Sequence, residues 1–133
     1  MIKRVHHINF VVRDLEVAVD RYQSLLGLGP FELVQHPHRP VKTARVKLGD
    51  TWIVLVQALD KESPPAKHLQ EHGEGIFLIS YEVDDLDAAM DQVRISEGKL
   101  RDEAPRNGIL NWQVADLDPE STFGAQVQLV EEK

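Results

Sequence analysis

The sequence predicts an α+β fold in which two copies of a βαβββ module make up one domain. Three observations carry that expectation. A strand pattern, an aspartate cap, an apolar helical stripe and a glycine stop occur in that order twice along the chain. The second copy keeps a constant offset of 71 positions, pairing Asp14 with Asp85, Leu15 with Leu86, Ala18 with Ala89, Asp20 with Asp91 and Gly27 with Gly98. Each copy is followed by β-type sequence sufficient for three more strands, and 133 residues suit one hydrophobic core better than two ordinary domains.

The elements follow in order. Residues 5–12 are rich in β-branched side chains and read as the first strand, which stops at Arg13-Asp14. Asp14 has the short, oxygen-bearing side chain that satisfies free amides at a helix start, and Glu16 complements the helix dipole. Leu15, Ala18, Val19, Tyr22, Leu25 and Leu26 recur at helical spacing, and Gly27 follows as a helix stop. Strands are expected at 31–35, 43–48 and 51–58, the last two joined by a hairpin at Gly49-Asp50. A short helix then has Ser63 as its cap, Pro64 at its first position and Gly73 past its end. In the second copy, 76–83 is a strand, Asp84-Asp85 a cap, and Leu86, Ala89, Met90 and Val93 the inward stripe before Gly98. Three strands are expected at 99–102, 110–116 and 125–130, with Asp118-Pro119 and Gly124 in the last turn. Module 1 thus covers about 1–59, the connecting helix about 60–75 and module 2 about 76–133, within a single domain 1–133.

Composition narrows the partners. Hydrophobic residues at 42% and charged residues at 28% are typical of compact soluble domains. No apolar stretch approaches the roughly 20 residues that cross a bilayer, and the opening residues lack a signal-peptide core, so a cytoplasmic protein without membrane contact is expected. The absence of cysteine removes disulfides, thiolate metal sites and cysteine nucleophiles. A net charge of −7 argues against nucleic acid, which requires a concentrated basic surface. The expected partner is a small organic molecule.

The strings HHINFVVRDLEVAVDRYQSLLGL, SPPAKHLQEHGEGIFLISYEVDDLDAAM and VQLVE resemble the vicinal oxygen chelate (glyoxalase/bleomycin resistance/dioxygenase) superfamily, most closely its methylmalonyl-CoA epimerase-like branch. The resemblance covers nearly the whole chain. It implies that the two modules curl into a cupped, barrel-like mixed sheet with the helices outside. It also implies a divalent metal in the cup, held by a histidine on the first strand of each module and an acid or amide on the last strand of each. A homodimer is the further implication, because such modules expose sheet edges.

Carried over residue by residue, the ligand set is degenerate. The first-strand histidine matches His7, and its counterpart 71 positions on is Leu78. The last-strand positions fall on Val54 and Gln128. His7 and Gln128 alone are retained, whereas zinc and related ions take three or more protein ligands, so no metal and no other cofactor is expected. Without the cation, an enolate-forming reaction lacks its Lewis acid. The position of the family's base falls near His38, and a histidine can serve as a base at neutral pH. His36 and His38 also read as exposed loop residues beside prolines. His68 and His72, four apart on the short helix, lack an HExxH context and read as solvated. His6 alternates away from His7, toward the helix side or a dimer contact.

Alternation sets the expected lining of the cup. His7, Asn9, Ser80, Glu82, Gln126 and Gln128 supply polar groups, and Trp52, Val54, Val56 and Leu78 supply apolar wall. Glu82 beside His7 would raise the histidine's pKa and make an acid/base pair. The leading expectation is a small-molecule-binding protein that works without the usual metal. The alternatives are an isomerase/epimerase or lyase using His7 and Glu82, and a non-catalytic structural or interaction subunit.

Overall fold

A computed structural model describes residues 2–133. Its elements are β1 (Ile2–Val11), α1 (Leu15–Leu26), β2 (Glu32–Gln35), β3 (Val41–Leu48), β4 (Thr51–Ala58), α2 (Pro64–His72), β5 (Gly75–Val83), α3 (Leu86–Ile95), β6 (Arg106–Asn107), β7 (Trp112–Asp116), a 3-10 turn (Pro119–Thr122) and β8 (Val127–Glu132). The βαβββ order is therefore present twice. Contacts group the chain into a central unit, Ile8–Phe77, and a terminal unit, Leu78–Lys133 with the residues up to His7. This division cuts β1 between His7 and Ile8. Among the described residues, no helix is long and apolar enough to cross a membrane.

In the central unit the hydrogen-bonded strand order is β2-β3-β4-β1. Antiparallel register sets Glu32 against Arg45 and Arg45 against Val54. One face packs Val12, Leu15, Ala44 and Leu55 together, with Phe10, Ala18, Val19, Tyr22 and Phe31 around them. The opposite face of the β3–β4 pair carries Thr43, Arg45 and Lys47 across from Val56, Val54 and Trp52. Gly49 makes the hairpin turn with φ +61°, a left-handed backbone that costs glycine nothing.

The terminal unit has the order β1-β5-β8-β7-β6. β5 and β8 are parallel, aligning Ser80 with Gln128 and Glu82 with Val130, and β7 runs antiparallel to β8, aligning Trp112 with Glu132 and Asp116 with Gln128. Its core is Val83, Leu86, Met90, Ala115 and Leu129. Burying side chains of this size contributes about 1.5–3 kcal/mol each before entropy is counted, enough to fix α3 on the sheet.

Both long helices start by one device. The Asp14 side chain accepts from Val17 N at 3.2 Å and that of Asp85 from Ala88 N at 3.0 Å. A second acceptor comes from the last strand of each module: Leu15 N donates to Gln57 Oε1 and Leu86 N to Glu131 Oε1, both at 2.8 Å.

The second module departs from expectation in three places. Residues 99–102 form only an isolated bridge, Leu100 to Leu117, and the strand in this position is the two-residue β6. In that bridge Arg101 N donates to Asp116 O and Lys99 O accepts from Asp118 N, while Lys99 N donates to Ser121 Oγ and the Asp102 carboxylate accepts from Arg106 and from the Asp116 amide. α3 ends at Ile95, and the left-handed residue after it is Glu97 at φ 65°, not Gly98. Gly98 is required for a different reason, since a Cβ there would lie 2.8 Å from Val93 Cγ1. Finally, Leu110 has φ 51°, so β7 starts at Trp112 rather than at 110.

Candidate functional site

The terminal unit gathers its polar side chains on the sheet face opposite α3. His6 and His7 are both buried, at 0% and 2% exposure, and both rings lie against Trp112. His7 stacks on the indole at 4.6 Å with 17° between planes, while His6 meets it edge-on at 4.6 Å. The expectation that His6 points to the helix side or to a dimer contact is therefore corrected. It is an interior residue whose Nδ1 lies 2.8 Å from His7 Nδ1. Its Nε2 is bonded to the Glu132 carboxylate, which also has Arg4 NH2 at 3.5 Å.

Burial is the main cause of an abnormal charge state here. Desolvation, with a smaller contribution from His6, lowers the His7 pKa to about 3, and Gln128 opposes the shift only in part. Burial also lowers the His6 pKa, against the opposing pull of Glu132. Both rings are neutral at pH 7. Glu82 lies on this face but does not pair with His7: its carboxylate accepts from Arg4 Nε at 2.5 Å.

Gln128 stands beside the His7 ring and is the cross-strand partner of Ser80. Its Nε2 donates to Asp116 Oδ1 at 2.9 Å. Asp116 is held in turn by Arg106 NH2 at 2.8 Å, and Arg106 Nε is shared with Asp102. Buried oxygens on this face are left over: Gln128 Oε1 and Ser80 Oγ receive no hydrogen bond, on residues exposed by 5% and 0%. Buried polar atoms are nearly always paired, so such atoms ask for an explanation. Gln126 lies just before β8 and outside this cluster; its side chain has Arg101 NH1 at 3.5 Å.

In the central unit, Asn9 Oδ1 is likewise buried and without a hydrogen bond. Val54 and Val56 are buried, and Trp52 lies under the Arg45 guanidinium at 3.8 Å. Arg45 Nε donates to Glu32 at 2.7 Å, and Lys47 Nζ is 5.5 Å from the same indole. His38 is exposed, as expected of a loop beside prolines, whereas His36, expected to be exposed as well, is half-buried. His72 is exposed, but His68 is partly covered by Phe77 at 5.0 Å between rings.

Sequence reading missed Trp112, Glu132, Asp116 and Arg45. One signal was available: Arg45 and Asp116 are separated by the same 71 positions as the helix caps, and they oppose Val54 and Gln128 respectively. The two modules thus set opposite charges against their last-strand positions.

The donor set does not fit a divalent ion. Val54 and Leu78 present hydrocarbon where the resemblance implies ligands, and Gln128 is a neutral amide already tied to Asp116. Among the described residues, no cluster of three or more His, Cys, Asp or Glu side chains is arranged to hold a metal.

Comparison with known proteins agrees with the architecture. The family model of the Glyoxalase/Bleomycin resistance protein/Dioxygenase superfamily matches residues 6–115. The ethylmalonyl-CoA/methylmalonyl-CoA epimerase of Cereibacter sphaeroides is 32% identical over 97% of this chain and 98% of its own length. Human mitochondrial methylmalonyl-CoA epimerase is 32% identical over 95% of this chain and 72% of its own. The crystal structure of the methylmalonyl-CoA epimerase from Mycobacterium tuberculosis superposes with a TM-score of 0.89 at 28% identity, covering 99% of this chain and 89% of that one.

Proposed function

Because the chain belongs to the Glyoxalase/Bleomycin resistance protein/Dioxygenase superfamily, we propose that it binds a small organic ligand without the divalent metal implied by its resemblance to the epimerase branch. The observation that carries this reading is within the terminal unit, where Leu78, buried hydrocarbon, stands at the position for which the resemblance implies a second histidine. The relatives' names point to acyl-CoA thioesters as the ligand class to try first. Apolar wall with a few fixed polar groups is the usual make-up of such a site.

The test is calorimetric titration of methylmalonyl-CoA into purified protein, with and without EDTA. Saturable binding that EDTA leaves unchanged supports the proposal. Binding that appears only when cobalt(II) is added would sink it.

A second reading, an isomerase or epimerase, is favoured by 32% identity to epimerases across almost the entire chain. It places a base at His7, with a ring that burial keeps neutral and weakly basic. The discriminating readout is exchange of the C2 proton of methylmalonyl-CoA in deuterium oxide. The binding reading expects no exchange above the buffer rate.

A further inference from the structure

We propose that His68 and His72, in the second half of α2, form an exchangeable site for a copper(II) ion in the central unit, with water completing its coordination. The site shares no residue with the metal-free reading above and stands independently of it.

The sequence places these histidines in solvent, and the structure gives them a geometry. They stand four apart on α2, so both side chains rise from one face of the helix. Their ring centroids lie 4.6 Å apart with 40° between the planes, which is not a parallel stack. An imidazole nitrogen binds at about 2.0 Å, which sets its ring centroid roughly 3.2 Å from the ion. Two such rings are then about 5.2 Å apart on a tetrahedral ion and about 4.5 Å apart at neighbouring corners of a square. The observed separation matches the square, the arrangement of copper(II) with nitrogen and oxygen donors rather than the tetrahedron of zinc.

His68 is held from two sides. Its ring hydrogen-bonds the Ile76 backbone and meets the Phe77 ring edge-on at 5.0 Å. A backbone contact of this kind is the ordinary outer partner of a ligating histidine, because it fixes the ring's orientation. His72 closes α2, where the negative end of the helix dipole favours a cation, and Glu71 Oε2 lies 3.7 Å from His72 Nε2. Two side chains are too few to retain zinc, by the same count that leaves the sheet without a divalent site. Copper(II) stands highest in the affinity order of the divalent first-row ions, and two imidazoles with water satisfy it. The ion is bound reversibly, and cobalt(II), lower in that order, is not held through desalting.

Copper(II) chloride titrated into the purified chain, followed by electron paramagnetic resonance, reads both stoichiometry and donor atoms. One equivalent should give a tetragonal signal split by two nitrogens. His68→Ala and His72→Ala should each weaken binding by about a hundredfold, the low end of the gain from joining two ligands. The His72 side chain is 61% exposed, so its truncation leaves the fold intact. Combining His72→Ala with Gln70→His keeps two histidines on α2 but sets them two apart, on different faces, and should bind no better than His72→Ala alone. His7→Ala and the double variant His36→Ala/His38→Ala should bind as the native chain does. Native binding by either α2 single variant or by the offset pair, loss on His7→Ala or on His36→Ala/His38→Ala, or no two-nitrogen signal at one equivalent overturns the proposal.

Discussion

His7 is the residue where sequence, packing and chemistry meet. Its place on the first strand and its nearness to Gln128 follow from the repeat and from alternation, and the structure brings the two together on one face with Ser80. The behaviour of His6 was not legible, because strict alternation sends adjacent strand residues to opposite sides, whereas both rings here reach Trp112. The burial has a thermodynamic consequence with a definite sign. His7 is lowered from 6.5 to about 3 in the folded protein, so below pH 6.5 the unfolded chain takes up a proton that the folded chain refuses. The stability it contributes is complete above pH 6.5 and is lost as pH falls toward 3. Urea unfolding should show a loss of ~2 kcal/mol between about pH 7 and pH 5, a window above the range in which lowered carboxylates such as Glu131 titrate. His7→Gln should flatten that slope. An unchanged slope in the variant would show that this ring is not the source.

At the scale of elements, the two helix starts are the most legible part of the fold. Asp14 and Asp85 are caps readable from residue type and spacing alone, and both hydrogen-bond as expected. The second clamp, Gln57 to Leu15 N and Glu131 to Leu86 N, was hidden because it joins residues 42 and 45 apart in the chain. Its chemistry can be tested by using the modules against each other. Glu131→Gln copies the first module's solution and should leave stability within ~0.5 kcal/mol, while Glu131→Leu strands a helix amide and should cost about 1–2 kcal/mol. Chemical denaturation measures both, and equal losses would remove the amide clamp as the explanation. Residues 99–102 show the opposite case. Their side chains suit a strand, and Arg101 N to Asp116 O and Asp118 N to Lys99 O do pair the backbone, but Lys99 N turns to Ser121 Oγ and the pairing stops at one bridge.

For the whole molecule, duplication is what makes the departures readable. A lone chain with His7 and Gln128 would not reveal a lost ligand set, but the repeat exposes Leu78 as the partner of His7 and Val54 as the partner of Gln128 by strand position. The same comparison shows opposite charges, Arg45 and Asp116, set against those last-strand positions. The proposed metal-free reading therefore turns on Leu78 and Val54, hydrocarbon side chains at positions where the resemblance implies ligands. Cobalt(II) titration of purified protein, followed by absorption and by metal content after desalting, tests this most directly, with Leu78→His as a companion that raises the ligands in the terminal unit to three. The account predicts no stoichiometric retention by the native chain and gain of retention in the variant. One tightly held cobalt per native chain, lost on His7→Ala, would contradict it.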